Sequence, residues 1–134
     1  MVKLSILICS IKSRANQLNE VLRLLGTHPE VEILIDVDNK EVSVGVKRQR
    51  LLEKSVGKWI VYFDDDDEPY YGYIDKILFG IDNYPEIDCM GIYGDMTTNG
   101  INPKTWIHSI QFKEWRVDGR KKLVSGFDYE RNII

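Results

Sequence analysis

Four consecutive aspartates, Asp64 to Asp67, follow directly on the apolar run Lys58-Trp-Ile-Val-Tyr-Phe63. Adjacent carboxylates repel one another, and a compensating cation relieves that repulsion. Oxygen donors suit hard ions such as Mg²⁺, Mn²⁺ or Ca²⁺. A solvated acidic turn is the plain structural explanation for such a run. The apolar residues before it favour the metal instead, because they read as a short strand buried on both faces. The acids then sit where that strand leaves the sheet, and in open α/β sheets ligands bind outside the carboxyl ends of the strands.

Two more segments end in the same way. Lys3 to Cys9 reads as a first strand that runs into Cys9-Ser10, and Val31 to Val37 as a second that runs into Asp36-Val-Asp38. If the connections are the usual right-handed crossovers, the three ends share one rim. A rim with a hydroxyl, carboxylates and a metal cluster suits a nucleoside diphosphate. A carboxylate holds a ribose hydroxyl or a base N–H, and the metal neutralises the diphosphate. Arg48, near the start of a helix, could reach the same rim as a phosphate or base partner.

The elements that position these groups alternate. After the polar turn Ser10–Arg14, Asn16 is a candidate cap for a helix whose stripe is Leu18, Val21, Leu22 and Leu25. Gly26-Thr-His-Pro29 ends it. A second helix is expected over Val46 to Val56, with Leu51, Leu52 and Val56 toward the sheet and Gly57 as its stop. Lys47, Arg50 and Lys54 read as solvated. The acidic strand comes next. A third helix begins at Pro69, with Ile74, Ile77, Leu78 and Ile81 on one face. Cys89 to Tyr93 reads as a fourth strand ending at Gly94-Asp95. Beyond it, Trp106 to Phe112 and the stretch around Trp115 and Val117 alternate. A turn at Gly119-Arg120 pairs Lys121 to Val124 back. The expected fold is α/β: a Rossmann-like three-layer sandwich with a mostly parallel central sheet and a C-terminal antiparallel β-ribbon. Residues 1–94 are expected to form the nucleotide-binding α/β part and 95–134 the β-ribbon part.

Length and composition agree with one soluble domain: 134 residues, 43% hydrophobic and 29% charged. A net charge of −3 leaves no basic footprint for nucleic acid. No apolar run approaches the ~20 residues that span a bilayer. Cys9 and Cys89 read as free buried thiols of a reducing, cytoplasmic setting. An exposed C-terminal strand edge would invite self-association into a homo-oligomer.

Four segments, in this order, resemble a family 2 glycosyltransferase of the GT-A fold. Lys3-Leu-Ser-Ile-Leu-Ile-Cys-Ser10 resembles the opening strand and nucleotide loop. Val31-Glu-Ile-Leu-Ile-Asp-Val-Asp38 resembles the second strand with its nucleotide-binding aspartate. Gly45 to Gly57 resembles the helix written Ala-Arg-Asn-x-Gly-x-x-x-Ala-x-Gly, with Arg48 in the arginine's place. Val61-Tyr-Phe-Asp-Asp-Asp-Asp67 resembles the Asp-x-Asp strand. The resemblance covers the first two-thirds of the chain. It implies a hexosyltransferase-like enzyme that takes a nucleotide-diphosphate sugar, UDP-sugar foremost, to a glycan, lipid or protein acceptor. It places Ser10 and the backbone at Cys9 in the base pocket and Asp38 on the base or ribose. Arg48 lies near the nucleotide, and Asp64 or Asp65 on the ribose. Asp66 holds Mn²⁺ or Mg²⁺, helped by Asp64 or Asp67.

Inverting members of that family take the acceptor's proton with a carboxylate from a later Glu-Asp motif. This chain reaches Ile134 before such a segment, with Asp128 and Glu130 its last acids, so a shortened C-terminus is expected. Asp36 competes with Asp38 but also suits a loop cap. Asp95 is an acceptor-side candidate that also reads as an ordinary turn acid. Tyr93, Trp106 and Trp115 suit an acceptor groove or simple packing. His28 and His108 carry no ligand signal.

Overall fold

In the computed structural model, the largely apolar run near the start of the chain forms β1, Leu4–Ile11. Leu4 to Ile8 are almost sealed from solvent. The reason is topological. β1 lies between β2 (Val31–Asp38) and β3 (Trp59–Tyr62), parallel to both, so both its faces and both its edges are covered. The register pairs Leu4 with Val31 and Trp59 at one end, and Ile11 with Asp38 at the other. The described residues are 1–91, 93–108, 116–117 and 123–125. The chain divides into two compact units, Met1–Pro85 and Glu86–Ile134.

In the first unit β1 leads through a 3₁₀ turn, Lys12–Arg14, into helix α1, Ala15–Leu25. Asn16 lies inside the first turn and does not cap the helix. The 3₁₀ turn sets the entry instead, with the Ala15 N–H bonded to the Lys12 carbonyl. Leu18, Val21 and Leu25 are buried as the spacing predicts, and each such side chain contributes roughly 1.5–3 kcal/mol. Gly26 closes the helix at φ 67° with its N–H on the Leu22 carbonyl.

Helix α2 spans Val44–Lys54, earlier than its apolar pattern suggests. The shift has a local cause: the Ser43 hydroxyl caps the helix by accepting the Val46 N–H at 3.3 Å. Leu51 reaches the core, but Leu52 and Val56 are exposed rather than packed on the sheet. The helix ends two residues before Val56, so Gly57 is not its stop. Gly57 is a close-packing position: a Cβ there would lie 2.5 Å from Ser5 Oγ and 2.7 Å from the Ser5 nitrogen. Its own N–H bonds to Ser5 Oγ at 2.9 Å. Beside it Glu32 takes the Ser5 hydroxyl at 2.5 Å and the Val56 N–H at 2.7 Å. Ser5 and Glu32 are register partners, so α2 leads back to the sheet on the face that both side chains share. Crossovers between parallel strands are right-handed. With β2 and β3 on opposite sides of β1, α1 and α2 fall on opposite faces.

β3 is shorter than expected and is not buried on both faces. Only Val61 of its four residues is buried, because β3 is an edge of this three-stranded sheet. The pairing extends one residue further through the Phe63 N–H on the Leu7 carbonyl. Helix α3 occupies Tyr73–Asn83 rather than starting at Pro69. A turn closed by the Tyr73 N–H on the Tyr70 carbonyl, with Gly72 at φ 72°, comes before it. Ile74, Ile77 and Leu78 are buried, and Ile81 is half-buried.

The second unit departs from the expected continuation of the parallel sheet. The strand expected at Cys89 to Tyr93 is instead β4, Tyr93–Thr98, paired antiparallel with β5, Ile101–His108. Asn99 and Gly100, both at positive φ, form the turn between them. Cys89 therefore lies outside any strand, and both cysteines are free and partly exposed. Gly94 faces Trp106 so closely that a Cβ would lie 2.8 Å from the indole. β6 (Arg116–Val117) pairs antiparallel with β7 (Leu123–Ser125), and β7 runs parallel to β5. The Gly119-Arg120 turn, Trp115, Asp128 and Glu130 lie outside the described residues.

Candidate functional site: a charged rim at the ends of three strands

The C-terminal ends of β1, β2 and β3 meet as one rim of the first unit, and a chain of polar contacts runs along it. Its centre is Lys47, whose neighbour Arg48 carried the sequence argument. Lys47 is only 2% exposed. Its ammonium donates to the Ser10 carbonyl at 2.7 Å and to Asp38 Oδ1 at 2.5 Å. One side chain from α2 thus ties the end of β1 to the end of β2. Lys47 was expected in solvent. Leu51, one helical turn later, could have indicated otherwise, since residues four apart share a face. Asp38 also accepts the Val42 N–H at 3.0 Å. Lys47 first, and that amide second, hold the Asp38 carboxyl well below the usual carboxylate range.

Ser10 also reaches the other way. Its hydroxyl donates to Asp65 Oδ2 at 2.7 Å. Asp65 is buried, and its second oxygen accepts from Arg14 Nη1 at 2.8 Å. The same Arg14 nitrogen lies 3.5 Å from Asp66 Oδ2. Arg14, at the end of the 3₁₀ turn, was not among the expected site residues. It links the segment leaving β1 to the acidic loop leaving β3.

Arg48 reaches the acidic loop that follows β3. Its Nη2 is 3.4 Å from Asp64 Oδ1, and its guanidinium carbon sits 5.1 Å from the centre of the Tyr62 ring. That is a cation–π arrangement, which holds the guanidinium against the strand. Cys9 is half-buried nearby. Burial pushes its thiol pKa up, with Arg48 and Lys47 pulling the other way, so the group stays a thiol at neutral pH. Asp36, the competitor of Asp38, pairs with Arg50 at 3.9 Å.

The aspartate quartet does not act as a block. Asp65 turns inward to Ser10 and Arg14, whereas Asp64, Asp66 and Asp67 are exposed. The Asp67 N–H bonds to the Asp64 carbonyl at 3.3 Å and closes the loop. Asp67 is exposed as a residue, but its carboxyl is partly buried; that partial burial, and then the charges of Asp64 and Asp66, raise its pKa. The three outward carboxylates are the hard oxygen donors that Mg²⁺ or Mn²⁺ takes. Among the described residues, however, no three His, Cys, Asp or Glu side chains converge as a ready-made cage. Arg48 draws Asp64 one way and Arg14 draws Asp66 another.

In the second unit, Asp95 is not a turn acid. It sits within β4, and its Oδ1 accepts the Thr105 hydroxyl at 2.7 Å. Tyr93 is exposed and Trp106 half-buried. Among the described residues no helix is long and apolar enough to cross a membrane. No protein-family model, no curated protein and no solved structure matches the chain.

Proposed function

We propose that the chain binds a nucleoside-diphosphate sugar, a UDP-sugar foremost, at this rim together with Mn²⁺ or Mg²⁺. On this reading it is a metal-dependent, family 2-like glycosyltransferase of the GT-A type, which passes the sugar to a glycan, lipid or protein acceptor. The observation that carries the reading is the continuous series Asp38–Lys47–Ser10–Asp65–Arg14–Asp66, with Arg48 on Asp64 beside it. It joins three strand ends far apart in the chain, at the place where α/β sheets take ligands.

Ser10, the Cys9 backbone and Asp38 would take the base and ribose, with Arg48 alongside the nucleotide. Asp64 is better suited to the ribose than Asp65, because Asp64 is exposed and Asp65 is buried. Asp66, with Asp64 or Asp67, would hold the cation. When bound, the cation neutralises the diphosphate and stabilises the departing nucleotide.

A thermal-shift screen tests this. UDP or a UDP-sugar should raise the melting temperature when Mn²⁺ or Mg²⁺ is present and far less without it. No shift with any nucleoside diphosphate plus metal rejects the reading. Binding without UDP release in the presence of candidate acceptors identifies a nucleotide-sugar-binding domain rather than a transferase.

A further inference from the structure

The geometry points to Arg14 as a phosphate-contacting residue that works with Arg48 as a two-pronged anion clamp. This rests on the nucleoside-diphosphate reading above and names the groups that would meet the diphosphate. A guanidinium carries five N–H donors on three nitrogens. The described contacts of Arg14 all run through Nη1, and the described ion pair of Arg48 runs through Nη2 alone. Each side chain is 43% exposed, so the remaining donors can reach a ligand.

Both guanidiniums are also held in place. Buried Asp65 anchors Arg14, and the Tyr62 ring with Asp64 anchors Arg48. Asp64, Asp65 and Asp66 are consecutive, so the two cations flank one short loop. They neutralise part of its charge where an anion would otherwise be repelled. A preset guanidinium edge matches the paired oxygens of a phosphate, which a single ammonium does not. Arg14 also spans from the segment after β1 to the loop after β3. A ligand in the crevice between those neighbouring strand ends would lie against it.

The test compares uridine, UMP, UDP and inorganic pyrophosphate by calorimetry with Mg²⁺ present, on wild type, Arg14→Ala, Arg14→Lys and Arg48→Ala. Wild type should prefer UDP over uridine. In Arg14→Ala, UDP affinity should fall about ten- to a hundredfold while uridine affinity stays within about twofold. Arg14→Lys keeps a cation beside Asp65. It should fold as wild type does and still lose most of the preference for UDP, because an ammonium lacks the fork. Arg48→Ala should lose part of the same preference. A parallel loss of uridine and UDP affinity in both Arg14 variants would show that Arg14 only braces Asp65, and would overturn the inference. Unchanged UDP affinity in Arg14→Lys and Arg48→Ala would overturn it as well. If wild type binds pyrophosphate through Arg14 but no nucleotide, the clamp stands and the glycosyltransferase reading falls. If wild type binds neither pyrophosphate nor UDP, the clamp is rejected.

Discussion

Lys47 donates to Asp38 from a position almost closed to solvent, and the same ammonium holds the Ser10 carbonyl. Removing the buried member of this pair leaves the partly buried Asp38 carboxylate uncompensated, which costs more than the pair itself contributes. Lys47→Met should therefore lower the melting temperature by roughly 5–10 °C. The double variant Lys47→Met/Asp38→Leu should recover part of that loss. Calorimetric scans of wild type, the two single variants and the double variant give the coupling directly. Equal and additive losses would contradict it.

The same pair sets an acid dependence. The Asp38 carboxyl is held below its unfolded value of about 3.9. Its stabilisation is therefore complete above that value and is lost as pH falls through the lower, folded value. Glu32 behaves alike: burial raises its pKa, but the Ser5 hydroxyl and the Val56 and Gly57 amides outweigh burial and lower it. Asp38→Asn should be much less stable than wild type at pH 7. The gap should narrow as the solution is taken below about pH 4. Urea denaturation across that range measures it, and a gap that does not change with pH would count against this linkage.

Asp67 predicts the opposite sign. Its carboxyl is raised by burial and by Asp64 and Asp66, so its charged form opposes folding at neutral pH. In metal-free buffer Asp67→Asn should raise the melting temperature by on the order of 1–3 °C at pH 7. The advantage should shrink as acid protonates the wild-type group.

At Gly57 a methyl group would meet backbone as well as a side chain, with the Leu4 carbonyl carbon at 2.8 Å. Backbone inside a paired strand cannot step aside cheaply. Gly57→Ala should destabilise the protein by about 1–3 kcal/mol or more in urea melts. Gly45→Ala meets only Ser43 Oγ at 3.8 Å and serves as the tolerated control.

The parts of this molecule legible in the sequence are those governed by one local pattern. The largely apolar run of β1, the stripe of α1 and the Gly26 stop each follow from neighbours along the chain. The order of strand and helix through β3 followed too. What escaped depends on partners far away in sequence. Lysine is so seldom buried that Lys47 read as solvent-facing; only the carboxylate and carbonyl awaiting it at the ends of β2 and β1 make the position tolerable. Arg14 lay in a turn that looked merely polar, and Asp65 turned out to be its partner 51 residues on. Gly57 was read as the end of a helix, whereas strand contact with Ser5 explains it. The residues from Cys89 to Tyr93 are apolar enough for a strand, yet Asn99-Gly100 is the better local marker, since such a pair favours the hairpin turn seen there.

Glu32 lies six positions before Asp38 on the same strand, and its carboxylate gathers the Ser5 hydroxyl and the amides of Val56 and Gly57. A slip of one residue between β1 and β2 would swing that carboxylate through to the opposite side. The Ser5 hydroxyl and the Val56 amide would be stranded, and the Gly57 amide would be left with Ser5 Oγ alone. The trio is thus a registration pin at the far end of the sheet from the charged rim. By fixing where β2 stands against β1, it also fixes the height at which Asp38 meets the Lys47 ammonium, so an alignment error at the bottom of the sheet would appear as a misplaced carboxylate at the top.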